Sequence, residues 1–110
     1  MQGILVNSPR IPLRFIRATS LGEVIKRLNT LDRDLTIYVK KPWNLTAKAI
    51  VAREPETGGL PKEASANGLE YFLEVSIAQE LLSDWLKSQQ AKPSLEKSCE
   101  RLIHYAEYDA

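Results

Sequence analysis

The chain has little of the residues that most often carry chemistry. Its 110 residues include one cysteine, Cys99, and one histidine, His104. A single thiol cannot close an internal disulfide, which points to a reducing, cytoplasmic setting. The same scarcity excludes thiolate and multi-histidine zinc sites, so no metal centre is expected. Glycine is sparse at five residues. The pair Gly58-Gly59 lacks the Lys-Ser/Thr of a phosphate loop and does not open a helix after a buried strand. Apolar runs are only a few residues long, too short for a membrane-crossing helix. The opening Met1-Gln2-Gly3-Ile4-Leu5-Val6 has no basic n-region, and Pro9 and Arg10 cut short any signal-peptide core. These gaps leave no enzymatic constellation and no cofactor motif, and a non-enzymatic protein is expected.

What is present suits one soluble domain spanning 1–110. The sequence is 44% apolar and 26% charged, near the average for globular chains. A chain of this length buries roughly two thirds of its unfolded surface and needs no staple. The net charge of +1 hides an asymmetry. Residues 1–53 carry ten Lys/Arg against three acids, a balance of +7; residues 54–110 carry five against eleven, a balance of −6. Such a split signals either a charged partner or attraction between the halves of the fold.

Periodicity orders the elements. Residues 1–17, with Pro9 and Pro12, read as an extended arm or edge strand. Ser20 and Glu23 form a capping box before a helix over 20–30 that presents Leu21, Val24, Ile25, Leu28 and Leu31. Residues 35–40 alternate as a strand, Lys41-Pro42-Trp43-Asn44 is the turn, and 45–52 returns as its hairpin partner. Residues 54–68 form a long Gly/Pro-containing loop with room for a short helix over 61–66. Residues 69–75 are the clearest strand, with Leu69, Tyr71 and Leu73 on one face and Glu70, Phe72 and Glu74 on the other. Ser76 and Gln79 suggest a second capping box for a helix ending near 90, striped by Ile77, Leu81, Leu82, Trp85 and Leu86. Ser94 caps a last helix with Leu95, Cys99, Leu102, Ile103 and Ala106 inward. The expected fold is α+β: a small antiparallel sheet of three to four strands, packed by about three helices on one face.

Two residue sets stand out as binding candidates. Glu70, Phe72 and Glu74 place an aromatic between two acids on a sheet face. Glu80 and Asp84, at i and i+4 on the next helix, extend them into a contact patch for a basic partner. The alternative set is Lys40, Lys41 and Trp43 at the hairpin tip with Arg14 and Arg17, where bases flank an aromatic able to stack a nucleobase. No recognition helix or RNA-binding aromatic set accompanies it. Cys99, on an apolar stripe, reads as a small core hydrophobe, and His104 as a residue at a helix end without an orienting carboxylate.

The run Asn67-Gly68-Leu69-Glu70-Tyr71-Phe72-Leu73-Glu74-Val75, followed by a helix and a Tyr-containing final helix ending Tyr105-Ala106-Glu107-Tyr108-Asp109-Ala110, resembles a family of small uncharacterised bacterial proteins. That family is similar to immunity proteins carried beside toxins of contact-dependent inhibition and related polymorphic systems. The resemblance covers roughly residues 20–110 and brings no catalytic motif. It implies a protein that binds and neutralises a toxin domain, in which case a basic partner would meet the acidic set.

Overall fold

A computed structural model describes residues 16–109, and the expected arm over 1–15 lies outside the described residues. Four strands form one antiparallel sheet: β1 (Ile16–Ser20), β2 (Thr36–Val39), β3 (Lys48–Ala52) and β4 (Glu70–Glu74), in the spatial order β1-β3-β2-β4. Among the described residues four helices accompany it: α1 (Leu21–Lys26), α2 (Lys62–Ala66), α3 (Val75–Lys87) and α4 (Leu95–Tyr108). The fold is α+β.

The strand β2 lies between β3 and β4 and is buried along its whole length. Its alternation sorts two clusters. Ile37 and Val39 point into the main core with Leu21 and Val24 of α1, Leu73 of β4, Ala78 and Leu82 of α3, and Cys99 and Leu102 of α4. Tyr38 points the other way, into a small cluster with Ile50, Leu69 and Ala64 of α2. The segment 54–68 thus covers part of the second sheet face with its short helix. Gly68, at φ +71°, turns the chain from α2 into β4 in the left-handed region where a side chain is strained.

Local signals account for several boundaries. Ser20 Oγ accepts the Glu23 amide at 3.2 Å, and Ser94 Oγ accepts the Lys97 amide at 3.1 Å, so both serines cap as their positions require. The return half of the first capping box is absent, because Glu23 pairs with Lys26 instead. The first helix is shorter than its periodicity suggests. It stops at Lys26, and Leu28–Thr30 continues as a 3-10 turn.

Among the described residues β1 opens at Ile16 and runs into the cap at Ser20. Three expectations need correction. The return strand starts at Lys48, not 45, because the Leu45 and Ala47 carbonyls accept from the Gly22 and Leu21 amides and leave the sheet. Ser76 and Gln79 do not cap α3. That helix starts at Val75, whose amide donates to Leu35, and Gln79 Nε2 donates to the Leu28 and Leu31 carbonyls at 2.8 and 3.2 Å. The helix ends at Lys87; Leu82 of the expected stripe is buried beside Val75 and Ala78, Ile77, Leu81 and Trp85 pack partly buried against the core, and Leu86 is left 41% exposed.

The largest difference lies in β4. Leu73 pairs with Ile37 and Tyr71 with Tyr38, so Phe72 is an extra residue in a β-bulge. The bulge reverses the alternation. Phe72 and Leu73 both enter the main core, while Tyr71 lies on the face of Tyr38. Glu74 pairs with Thr36 and Glu70 with Val39, neighbours on opposite faces of β2.

Candidate functional site

The connection between β2 and β3 forms one wall of a groove. The Lys40 amide donates to the Lys48 carbonyl at 2.9 Å and closes its neck. Asn44 Oδ1 accepts from the Thr46 amide and hydroxyl, each at 3.0 Å, an Asx arrangement that holds the tip without sheet hydrogen bonds. The tip is anchored to α1: the Leu21 and Gly22 amides donate to Ala47 and Leu45 carbonyls at 2.9 Å each. These are amides that a helix start leaves without intrahelical partners. A Cβ on Gly22 would lie 3.1 Å from Leu45 Cδ1, so a side chain there would require Leu45 to give way by a few tenths of an ångström.

Trp43 lies along this wall, partly buried. Its Nε1 donates to the Val39 carbonyl at 3.1 Å, and its ring meets Phe72 edge to face at 4.9 Å between centroids. Lys41 Nζ sits 5.0 Å from the Trp43 ring centroid and 3.7 Å from Glu70 Oε1. The indole is a fixed part of the fold.

The facing wall is α4. Its inner stripe sends Cys99 and Leu102 into the core. Burial pushes the Cys99 thiol up to about 11, with the Glu100 and Glu96 carboxylates adding to the shift, so it stays a neutral core group. Glu96, Glu100 and Glu107, at i, i+4 and i+11, fall within about 40° of one another around the helix axis. All three are exposed. None has an ion-pair partner among the described residues.

Between the walls lies a groove of about 460 Å³. Trp43, Leu45, Cys99 and Ile103 give it an apolar floor, and the three glutamates with Asn44, Thr46 and His104 form its rim. His104 is exposed and lies against Tyr108, with ring centroids 4.9 Å apart. The arrangement can receive a cationic segment carrying an apolar or aromatic side chain. Among the described residues no group of three His, Cys, Asp or Glu is placed to hold a metal ion.

The structure does not assemble the acidic set read from the sequence. Phe72 is 1% exposed and cannot present its ring to a partner. Glu70 and Glu74 lie on opposite faces of the sheet, and Glu70 is paired with Lys41. Glu80 accepts from Arg33 at 2.6 Å, and Asp84 lies 3.9 Å from Lys87. Of the basic set, Lys41 and Trp43 do come together, but around Glu70 and Phe72, which ties the two sets into one cluster. Lys40 is exposed. Arg14 lies outside the described residues, and of Arg17 only its place in β1 is described. The stripe Glu96, Glu100, Glu107 escaped the sequence reading. Its signal was there: three acids at helical spacing beside an apolar stripe, with Lys97 and Arg101 on a neighbouring line of the helix.

No described helix is long and apolar enough to cross a membrane. No curated protein and no solved structure matches the chain. A family described as Domain of unknown function (DUF7716) matches residues 18–110, and the chain belongs to it.

Proposed function

We propose that this DUF7716 protein is a non-enzymatic binding module whose groove between the β2–β3 connection and α4 receives a basic segment of a protein partner. The reading extends to the role suggested by resemblance: an immunity protein that neutralises a toxin domain in the bacterial cytoplasm by covering its working surface. One observation carries it. Glu96, Glu100 and Glu107 stand in line, free of ion pairs among the described residues, over a floor made by Trp43, Leu45 and Ile103. Glu96 and Glu100, like charges at i and i+4, work against the helix itself, and Glu107 continues their line two turns on. An outside cation relieves that repulsion, and a floor with a rigid indole supplies the kind of aromatic anchor that dominates interface energies. The partner's net charge steers the encounter, and the floor slows its departure.

The test is affinity capture from source-cell lysate, with and without nuclease treatment, using three tagged proteins. These are the wild type, a Glu96→Lys/Glu100→Lys/Glu107→Lys variant and a Glu80→Lys/Asp84→Lys control. A single stoichiometric protein, held by wild type and control and lost by the first variant, is the expected result. Its association rate should fall at least tenfold with the first variant at low salt. Retention of the same partner by that variant moves the interface elsewhere. Recovery of nucleic acid that nuclease abolishes replaces the reading with one based on Lys40 and Lys41.

A further inference from the structure

We propose a second binding site, for a single-chain anionic amphiphile of the fatty-carboxylate class, in the groove where α1, α3 and the connection from α3 to α4 meet. The groove holds about 600 Å³, within the range of small-ligand sites. Its floor is Ile25, Leu28 and Leu82, each less than 10% exposed, continued by the partly buried Leu95. Leu86 stands at the mouth, 41% exposed although it sits on the stripe where sequence periodicity puts a core residue.

A lone exposed leucine is ordinary. The charge around it is not. The charged residues of the lining are Lys26, Lys87 and Lys92, and no carboxylate joins them. The rim is thus cationic in a chain that overall nearly balances fifteen bases with fourteen acids. Two of the lysines have weak, exposed tethers one turn back on their own helices: Lys26 to Glu23 at 3.2 Å and Lys87 to Asp84 at 3.9 Å. Lys92 has no ion pair among the described residues. An apolar floor under a cationic rim matches an alkyl chain that leaves water beneath an anionic head that stays at the surface. Lysine stems can lie along the chain while their ammonium groups reach the head.

This site is separate from the acid-rimmed groove. Leu95 and Ser98 line the one, and Glu96, Cys99 and Glu100 line the other, across α4.

Calorimetric titration with dodecanoate, below its micelle concentration, tests the site, with dodecyltrimethylammonium as the probe of opposite charge. One saturable dodecanoate per chain is expected, bound at least tenfold more tightly than the cation. A Lys87→Glu/Lys92→Glu variant, both positions exposed, should keep the far-UV spectrum of the folded protein and lose at least tenfold in dodecanoate affinity. Leu86→Gln should weaken it too, and Glu96→Lys should leave it as it is. The proposal is overturned by the absence of saturable binding or by equal affinity for the two probes. It is also overturned by a concentration-dependent dimer that Leu86→Gln dissolves, which would make a second copy of the chain the occupant.

Discussion

Phe72 shows how much one residue decides here. Its ring fills the space between Trp43 and the sheet, 1% exposed, and the bulge gives it that position. Phe72→Ala should cost about 3–5 kcal/mol, as truncated buried aromatics do. A chemical-denaturation midpoint that barely moves would place the ring outside the core. Cys99 makes a different prediction. Its folded pKa, about 11, lies above the ordinary value of 9.0. The stabilisation linked to that shift is complete below pH 9 and is lost as pH rises towards 11, a fall of about 3 kcal/mol for two pH units. Tyr38 and Tyr71, raised chiefly by desolvation, bend the curve the same way above pH 10. Urea midpoints measured from pH 8 to 11 should drop steeply for the wild type and less for Cys99→Ala. Parallel curves would show that the thiol does not titrate with unfolding.

At the scale of elements, the start of α1 and the β2–β3 connection behave as one unit. Gly22 is the contact between them. Helix propensity alone predicts that Gly22→Ala stabilises α1 by about 1 kcal/mol. The added Cβ, however, would meet Leu45 Cδ1 at 3.1 Å and the Leu45 carbonyl at 3.2 Å, the same carbonyl that the Gly22 amide binds. Crowding should win, with a net loss of about 1 kcal/mol and a lower melting temperature. A higher melting temperature would mean that Leu45 yields freely. The same elements show where the sequence is legible. Caps at Ser20 and Ser94, the alternation of β2 and the inner stripe of α4 are readable because each is set by residues within a turn or two. The face of Phe72 is not, because the bulge depends on pairing with a strand more than thirty residues away. The groove escaped for the same reason. Glu96, Glu100 and Glu107 mark a helix line, but only the fold places Trp43 and Leu45 across from it.

For the whole molecule, the split of charge along the chain acquires a spatial meaning. Among the described residues two ion pairs, Arg33 with Glu80 and Lys41 with Glu70, join the basic half to the acidic half. All four side chains are more than half exposed, so each pair contributes less than about 1 kcal/mol. Raising salt from low to about 0.5 M should therefore lower the melting temperature by only a few degrees. A collapse of the fold in salt would make attraction between the halves its main support. The acids of α4 have no share in that internal pairing among the described residues, and they remain available to something outside the molecule.

One consequence of the bulge in β4 concerns encounters that the protein has to avoid. Among the described residues this strand is one of the two edges of the sheet, and a straight edge offers unpaired backbone groups on which another chain can grow. Phe72 draws its side chain into the core and kinks the strand, while Glu70 and Glu74 place a negative charge at each end. A second β4 brought alongside would meet an uneven backbone and like charges. The residue that completes the core thereby also guards the protein against edge-to-edge aggregation.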